Sequence, residues 1–381
     1  MLTNADITAL IAFRRQLHQH PELSGEEHQT AKTIAQALSA LSPNRIITGL
    51  GGHGVAGVFD SGVDGPTVLF RAELDALPIP EETGLDWAST VSGKGHLCGH
   101  DGHMTMLLAL GRLLSRRRHQ KGRVVLMFQP AEEDGSGAKL VVADPKFSDI
   151  SPDYAFAIHN EPGLPFGYVG TKPGLINCAS RGLILRLRGK TSHAAEPELA
   201  ISPIPILGDM IERLRQLGQG GALDNDFRLV TITHIHVGEA TFGITPAHAE
   251  IYVTLRASHD DAIADMQEQA LDDASSHAST TGLSLEWEIH DDFAASINDQ
   301  DATTIAQNAM AALNVPFGED GVPMRASEDF GVFGWSARSA MLCLGPGEDH
   351  PALHQPDYDF ADDLIPIGAR IFEQITRDLL G

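Results

Sequence analysis

Short apolar runs alternate with stretches of helical periodicity through the first half of the chain. The runs that we interpret as β-strands lie at 54–59, 66–73, 122–129 and 153–159. Apolar residues recur at helical spacing at 5–41, with a break at Pro21, and again at 104–117. The run at 122–129 is continuously apolar, as in a strand covered on both faces. Strands that alternate with helices predict an α/β fold with a mostly parallel, helix-covered sheet.

Beyond residue 181 the pattern changes, because polar and apolar positions now alternate within the predicted strands. Such alternation is typical of a strand with one exposed face. The predicted order is strand, helix, strand, strand, helix, strand, at 183–188, 203–217, 229–237, 249–256, 260–276 and 283–289. This order predicts a small α+β module with a four-stranded sheet and two helices.

The predicted module interrupts a larger domain. We place the module at 180–290, inserted into a larger domain that comprises 1–179 and 291–381. The larger domain then closes with a helix at 300–313, a strand at 340–344 and a helix at 364–380. A chain of 381 residues is long for a single core, which also favours two domains.

The charge balance narrows the possible partners. The chain has 27 Lys and Arg against 51 Asp and Glu, a formal net charge of −24. Nucleic-acid binding needs a basic face and binding to an anionic membrane needs a polybasic patch, so we expect neither partner.

Three further features of the sequence predict a cytoplasmic protein. The 3 cysteines are too few for a disulfide framework. The N-terminus lacks the basic and apolar regions of a signal peptide. No apolar run approaches the ~18 residues of a transmembrane span.

One stretch concentrates side chains that bind metals, Gly95-His-Leu-Cys-Gly-His-Asp-Gly-His103. Cys98 and His100 are two residues apart, so in an extended segment both would face one ion. Asp101 would cap the helix that follows. Thiolate, imidazole and carboxylate are the usual ligands of borderline-soft divalent ions. Taken alone, the same residues also suit a buried cysteine beside loop histidines.

Acidic and imidazole side chains follow three of the predicted strands. Glu73 and Asp75 follow one strand, Glu132 and Glu133 the next, and His159 ends a third. Side chains at the carboxyl ends of strands form the functional edge of an α/β sheet. By itself, either residue of the first pair is equally compatible with a solvated turn. The second pair in isolation is more typical of a charged loop after a strand.

These segments together resemble the dinuclear metal-dependent aminoacylase and carboxypeptidase superfamily. The resemblance is strongest to its amidohydrolase branch, which includes hippurate hydrolases, N-acyl-amino-acid amidohydrolases and auxin-conjugate hydrolases. The matching segments, in family order, are Arg14-Arg15 with His18-x-x-Pro-Glu22, Arg71-Ala-Glu-Leu-Asp-Ala-Leu-Pro78, His96-x-Cys-Gly-His-Asp-x-His103, Phe128-Gln-Pro-Ala-Glu-Glu133, Ile158-His-Asn160, Gly189-x-x-x-His-Ala194, Ser327-Glu-Asp-Phe330 and Leu353-His354 with Tyr358.

The resemblance implies that the larger domain is a catalytic, metal-binding domain and that the module at 180–290 is its lid. It also implies a pair of divalent metal ions. The implied ligands are Cys98, His100, Glu133, His159 and His354. Their donor atoms suit Zn, Co or Ni, and Mn is also compatible. Asp75 and Asp101 are candidates for orienting the ligating imidazoles. The residue that bridges the two ions does not follow from the spacing.

The resemblance also implies a mechanism and a substrate class. Glu132 would be the general base and acid, taking a proton from a metal-activated water and giving it to the leaving amine. His193 matches a lid histidine that helps bind the oxyanion, often across a dimer interface. The predicted activity is hydrolysis of an N-acyl amino acid or a related small amide, by a homodimer joined through the lid. The alternative on the same scaffold is a metallo-dipeptidase or carboxypeptidase.

The chain departs from the family in the lid. Gly243 stands where relatives carry an asparagine aimed at the substrate carboxylate, although Arg256 remains as a possible carboxylate contact. A site that loses a partner for a substrate group discriminates less for that group. We therefore expect an unusual substrate without a standard α-carboxylate.

Two other readings of the residues are a cysteine hydrolase that uses Cys98 and a metal-binding protein without catalysis. The first leaves Glu133, His159 and His354 without roles. The second requires a lost base, yet Glu132 is present.

Overall fold

The structure, a computed structural model, describes residues 1–381. Its α-helices are α1 (Asn4–His18), α2 (His28–Ser39), α3 (His100–Arg116), α4 (Gly137–Ala143), α5 (Ile204–Gln216), α6 (Asp260–Thr281), α7 (Gln300–Leu313) and α8 (Leu364–Leu380). Its strands are β1 (Arg45–Leu50), β2 (Gly54–Asp60), β3 (Thr67–Glu73), β4 (Arg123–Gln129), β5 (Tyr154–Asn160), β6 (Val169–Gly170), β7 (Gly174–Asn177), β8 (Ala179–Arg188), β9 (Ser192–His193), β10 (Arg228–Val237), β11 (Ile244–Thr245), β12 (His248–Ala257), β13 (Ser284–Phe293), β14 (Ser296–Asn298), β15 (Phe317–Gly318) and β16 (Arg338–Leu344).

The larger of two compact units contains an eight-stranded sheet. This unit comprises Met1–Ile176, Ser296–Pro323 and Glu328–Gly381. The strand order is β1-β2-β4-β3-β5-β16-β6-β15. The four central strands β4, β3, β5 and β16 are parallel to one another, while β1, β2 and β6 add antiparallel pairings. The predicted fold class, a mostly parallel helix-covered sheet, is confirmed.

Helices bury both the sheet and the start of α3. Every residue of β4 after Arg123 is buried, which accounts for its continuously apolar sequence. Every residue of α3 from His100 to Gly111 is also buried. A helix buried on all sides is expected to carry polar groups there only where they have partners. The polar residues at the start of α3 therefore mark a specialised environment.

The smaller unit comprises Asn177–Ala295 with Met324–Ser327. Its antiparallel sheet has the order β10-β12-β8-β13. Burial alternates residue by residue along β12, because the apolar side chains of one face pack with those of α5 and α6 in a single core. The elements follow the predicted order of strand, helix, strand, strand, helix, strand.

The two units differ in detail from the expected division of the chain. The expected module covered 180–290, whereas the smaller unit is longer at both ends and includes residues 324–327. Three strands of the eight-stranded sheet, β1, β6 and β15, were not predicted. β6 and β15 have only two residues each, and most residues of β1 are half-buried or exposed and lack a clear alternation. None of the helices combines the length and the hydropathy of a membrane-spanning segment.

Candidate metal centre

Three adjacent strands deliver the acidic and imidazole side chains to one edge of the sheet. β3 lies between β4 and β5 and is parallel to both. Their carboxyl ends therefore meet at one edge, which brings Asp75, the Glu132-Glu133 pair and His159 to one place. The sequence pattern predicted these strand ends, and the sheet order explains why they converge.

The turn before α3 brings Cys98 and His100 to the same edge. Gly99 has φ +92° and is the N-cap of α3. A Cβ at Gly99 would lie 2.5 Å from Asn160 Nδ2, so only glycine fits this approach. The predicted cap was wrong: Asp101 is already inside the helix, and no side chain caps its N-terminus.

Donor atoms of the five predicted metal ligands form two overlapping groups. Cys98, His100 and His159 form one, and Cys98, Glu133 and His354 form the other. Within each group the donor atoms lie within 4.8 Å of one another. His100 Nε2 is 3.7 Å from Glu133 Oε1, and His354 Nε2 is 3.7 Å from Glu133 Oε2. Cys98 and Glu133 thus lie where two cation positions would adjoin.

The unpaired polar atoms at this site fit bound cations. His100 Nε2 and Glu133 Oε1 are buried and have no hydrogen-bond partner, although buried polar atoms nearly always have one. Burial lowers the pKa of His100, but the surrounding carboxylates, Asp75 foremost, raise it to about 10. His100 Nε2 therefore lacks a hydrogen-bond partner while carboxylates surround the imidazole, and a divalent cation bound there would neutralise their negative charge.

Backbone carbonyls orient two of the imidazoles. His100 Nδ1 donates to the carbonyl oxygen of Asp75 at 2.9 Å, and His159 Nδ1 donates to that of Asn160 at 2.7 Å. Each bond directs Nε2 toward other candidate ligands, Glu133 for His100 and Cys98 for His159, the arrangement that ligating histidines need. The Asp75 carboxylate lies farther from His100, at 3.5 Å, so the main chain of Asp75 is the closer orienting group.

The Asp101 carboxylate contacts His18, an imidazole outside the predicted set of metal ligands. Its carboxylate is 2.9 Å from Nδ1 of His18 and 3.2 Å from Nη1 of Arg14. Both partners lie on α1 and are fully buried. In this structure Asp101 joins α1 to the start of α3 through His18 and Arg14.

Glu132 is buried beside the candidate ligands. Its carboxylate is 3.8 Å from His100 Nε2 and only 5% of the residue is exposed. Burial, reinforced by the carboxylates of Glu328 and Glu133, raises the pKa of Glu132 well above its ordinary value. A carboxyl group with a raised pKa can both accept and release a proton near neutral pH.

The environment of Cys98 does not favour a free thiolate. Burial, together with Glu133 and Glu132, raises the pKa of the Cys98 thiol well above its ordinary value. A cysteine nucleophile needs the opposite shift. These surroundings count against a cysteine hydrolase and leave a bound cation as the means of holding Cys98 as thiolate.

A second polar network lies beside the candidate ligands and was not predicted. Arg71 is fully buried and pairs with Glu73, with Glu328 at 2.8 Å and with Asp329 at 2.6 Å. Glu73 also accepts from His103 Nδ1 at 2.8 Å. These carboxylates have cationic or imidazole partners already, so we assign them to a structural network rather than to a metal.

His103 is not assigned as a metal ligand either, because its Nε2 already accepts a hydrogen bond from the backbone N–H of Asn160 at 3.0 Å. The sequence carried a signal for this network, since Arg71, Glu73 and Glu328 all lie in the family motifs. Only the fold shows that they form one group.

The remaining predicted site residues, His193 and Arg256, belong to the smaller unit. His193 lies on β9, opposite Ile244 of β11, and is exposed. Arg256 Nη1 donates to the carbonyl of Arg325 at 2.9 Å and to the Ser327 hydroxyl at 2.8 Å. The candidate metal ligands all come from the larger unit.

The chain is similar to known proteins over nearly its whole length. A family model described as peptidase family M20/M25/M40 matches residues 69–378. An N-acetylcysteine deacetylase of Bacillus subtilis (strain 168) is 30% identical over 380 residues, which cover 99% of this chain and 98% of the relative.

A hippurate hydrolase of Campylobacter jejuni is also 30% identical, over 378 residues, which cover 97% of this chain and 96% of the relative. Among solved structures, a Bacillus subtilis protein described as a dinuclear metal-binding peptidase of the M20 family has a TM-score of 0.83 at 28% identity, covering 100% of this chain and 99% of that one.

Proposed function

The chain belongs to peptidase family M20/M25/M40, and we propose that it cleaves the amide bond of an N-acyl amino acid or a related small amide. Its relatives establish the coarser class, a metal-dependent hydrolase that acts on amide bonds. Two full-length relatives are named for N-acetylcysteine and hippurate, which are both N-acyl amino acids. Their names support a small-molecule substrate.

The convergence of the candidate ligands carries the proposal. We infer that two divalent ions are held by Cys98, His100, Glu133, His159 and His354, whose donor atoms form the two groups described above. When bound, such ions act as Lewis acids and lower the pKa of a water molecule to roughly 7. Zn, Co, Ni or Mn would suit this donor set.

Glu132 is the proposed general base and acid. Its carboxylate would take a proton from the attacking water and deliver it to the leaving nitrogen as the C–N bond breaks. Its neighbour Glu133, as a ligand, stays committed as an anion, so the two adjacent carboxylates have separate tasks. His193 is the proposed donor to the developing oxyanion.

A substitution at Glu132 tests the mechanism. Glu132→Gln keeps the size of the side chain but removes its capacity to accept a proton, so we expect kcat to fall by about 10²- to 10⁴-fold. Asp134→Asn is the matched control, because Asp134 lies in the same turn and is exposed. Both variants are assayed on hippurate with metal content measured. Retained hydrolysis by Glu132→Gln at full metal content would contradict the proposal.

Metal dependence is tested by removal and reloading. We expect EDTA to abolish hydrolysis and Zn, Mn, Co or Ni, added singly, to restore it to different degrees. Activity that survives complete removal of metal would count against the proposed ligand set. A panel of N-acyl amino acids and dipeptides, assayed with the best metal, separates the amidohydrolase from the dipeptidase alternative.

The smaller unit bears on the choice of substrate. Gly243 lies in an exposed loop, and a Cβ built on it meets no atom within 4 Å. We propose that the missing side chain weakens selection for an α-carboxylate, so that benzamide-type amides and hippurate are cleaved at comparable rates. A strong preference for hippurate over benzamide-type amides would contradict this part of the proposal.

A further inference from the structure

The residue before Glu132 has an unusual backbone conformation. Ala131 has φ +50°, a left-handed conformation that is unfavourable for a non-glycine residue and persists only where the surroundings impose it. This conformation sets the direction in which the chain enters Glu132. The groups that hold Ala131 therefore also set the position of the Glu132 carboxylate.

Glu27 holds Ala131 from a distant part of the sequence. The backbone N–H of Ala131 donates to Glu27 Oε1 at 2.8 Å. The same oxygen accepts from the N–H of Gly25 at 3.0 Å, and Glu27 is fully buried. Because a buried N–H that loses its partner destabilises the folded protein, this bond opposes relaxation of Ala131.

A second contact holds the other side of Glu132. The backbone N–H of Glu133 donates to Asp75 Oδ2 at 2.9 Å, and the Ser24 hydroxyl donates to the same oxygen at 2.7 Å. Ser24 and Glu27 belong to one short segment, 22–30, which we name the entry segment. Through these contacts the entry segment reaches the residues on both sides of Glu132.

The entry segment is itself held in place. The Glu22 carboxylate accepts from the N–H of Gln29 at 2.9 Å and from the N–H of Thr30 at 2.7 Å. The N–H of Ala76 donates to the carbonyl of Glu22 at 2.9 Å. These hydrogen bonds connect the entry segment to the first turn of α2 and to the residues that follow β3, so the segment forms a rigid support.

We propose that Glu27 is a positioning residue for the Glu132 carboxylate, and that it acts through the hydrogen-bond acceptor Oε1 rather than through its charge. This inference rests on the proposed role of Glu132 as general base and acid. Glu27 Oε2 has no hydrogen-bond partner, whereas Oε1 accepts from the two backbone N–H groups described above. Burial raises the pKa of Glu27 to about 7, which agrees with an environment that does not require the anion.

Two substitutions of similar length separate the acceptor from the charge. Glu27→Gln keeps the acceptor oxygen and loses the charge, so we expect kcat to stay within about twofold. Glu27→Met keeps the length but has no oxygen, so we expect kcat to fall at least about tenfold, because small displacements of a reacting group are costly. KM and metal content should be unchanged in both variants.

Glu26→Met is the matched control. Glu26 adjoins Glu27, but its side chain is 59% exposed and pairs only with Lys94, so we expect wild-type kcat. If Glu27→Met does not fold, Glu27→Asp replaces it, since the shorter side chain withdraws the acceptor and should lower kcat in the same way. Ala131→Gly added to the impaired variant should restore part of kcat, because glycine adopts this conformation without strain.

Three outcomes would overturn the inference: wild-type kcat when the acceptor is removed or withdrawn, an equal loss in Glu27→Gln, or a loss of metal that accounts for the lower kcat. Glu132→Gln is assayed in parallel. If Glu132→Gln remains active, the proposed function fails. If it is inactive while Glu27→Met hydrolyses hippurate normally, the positioning inference alone fails.

Discussion

The Cys98 sulfur belongs to both candidate groups and lies within 4.8 Å of the donor atoms of the other residues in each group. The sulfur is 3.5 Å from His159 Nε2. Burial and nearby carboxylates hold the thiol in its neutral form, so a cation that binds here must displace a proton. Metal binding at this residue should therefore be coupled to proton release.

We expect Cys98→Ser to weaken metal binding at least about tenfold, because a serine hydroxyl does not deprotonate as a thiol does. The measurement is the metal-to-protein ratio after dialysis against a series of chelator concentrations. Cys178→Ser is the control, since Cys178 is also buried but belongs to the smaller unit. Equal metal retention by Cys98→Ser and the wild type would remove Cys98 from the ligand set.

At the scale of elements, buried charges join α1 to α3. His18 contacts the Asp101 carboxylate through Nδ1 at 2.9 Å and lies 3.2 Å from Glu81 through Nε2. Burial would lower the pKa of His18, but Asp101 and Glu81 together raise it to about 9. The folded protein therefore favours an imidazolium at this position.

This raised pKa predicts a loss of stability at alkaline pH. The folded pKa exceeds the unfolded value of about 6.5, so the contribution of His18 is fully present below pH ~6.5 and is lost as pH rises through about 9. We expect wild type to exceed His18→Gln in free energy of unfolding by at most about 3 kcal/mol below pH ~6.5, and the difference to shrink toward alkaline pH. Urea unfolding at several pH values measures it; a pH-independent difference would contradict the assignment.

Gly137 and Gly208 are both helical residues, but the space around them differs. Gly137 begins α4 directly after the acidic turn, and a Cβ there would collide with the carbonyl oxygen of Pro130. Gly208 lies within α5, and a Cβ there meets nothing within 4 Å. Close packing is therefore required at Gly137 and absent at Gly208.

We expect Gly208→Ala to stabilise the protein by up to about 1 kcal/mol, since alanine favours helix. Gly137→Ala should lower both the melting temperature and kcat, because the backbone of the acidic turn must move. Thermal unfolding and hippurate hydrolysis measure the two effects. An unaltered melting temperature and kcat in Gly137→Ala would show that the turn accommodates the extra methyl group.

At the scale of the molecule, the smaller unit offers edges for association. Its sheet ends in β10 on one side and β13 on the other, and Trp287 of β13 is 49% exposed. Unpaired strand edges are available for pairing with another chain. We retain the proposal of a homodimer through this unit.

Light scattering tests this proposal, and we expect twice the mass of the 40.8 kDa chain. Replacing Trp287 with Glu should shift the protein toward monomer if β13 forms the contact, whereas the same change at Trp335 of the larger unit, 58% exposed, should not. A monomeric wild type at micromolar concentration would end the homodimer proposal.

The sequence by itself determined the fold class, most elements and the side chains that are brought together. Apolar periodicity located β3, β4 and β5, and the family motifs located Cys98 and Glu133. These inferences succeed because the periods of strands and helices are local properties of the chain. β1 escaped prediction because its half-exposed edge position leaves no comparable pattern.

Only the tertiary structure decided which polar groups are partners. Asp101 suits a helix cap by sequence, yet the fold places it against His18 and Arg14. Glu27 has no sequence signal that connects it with Glu132, 105 positions away in the numbering, and only the packing of the entry segment brings them together. The physical reason is that a buried polar group takes the partner that the fold places within about 3 Å, and that distance is unrelated to separation along the chain.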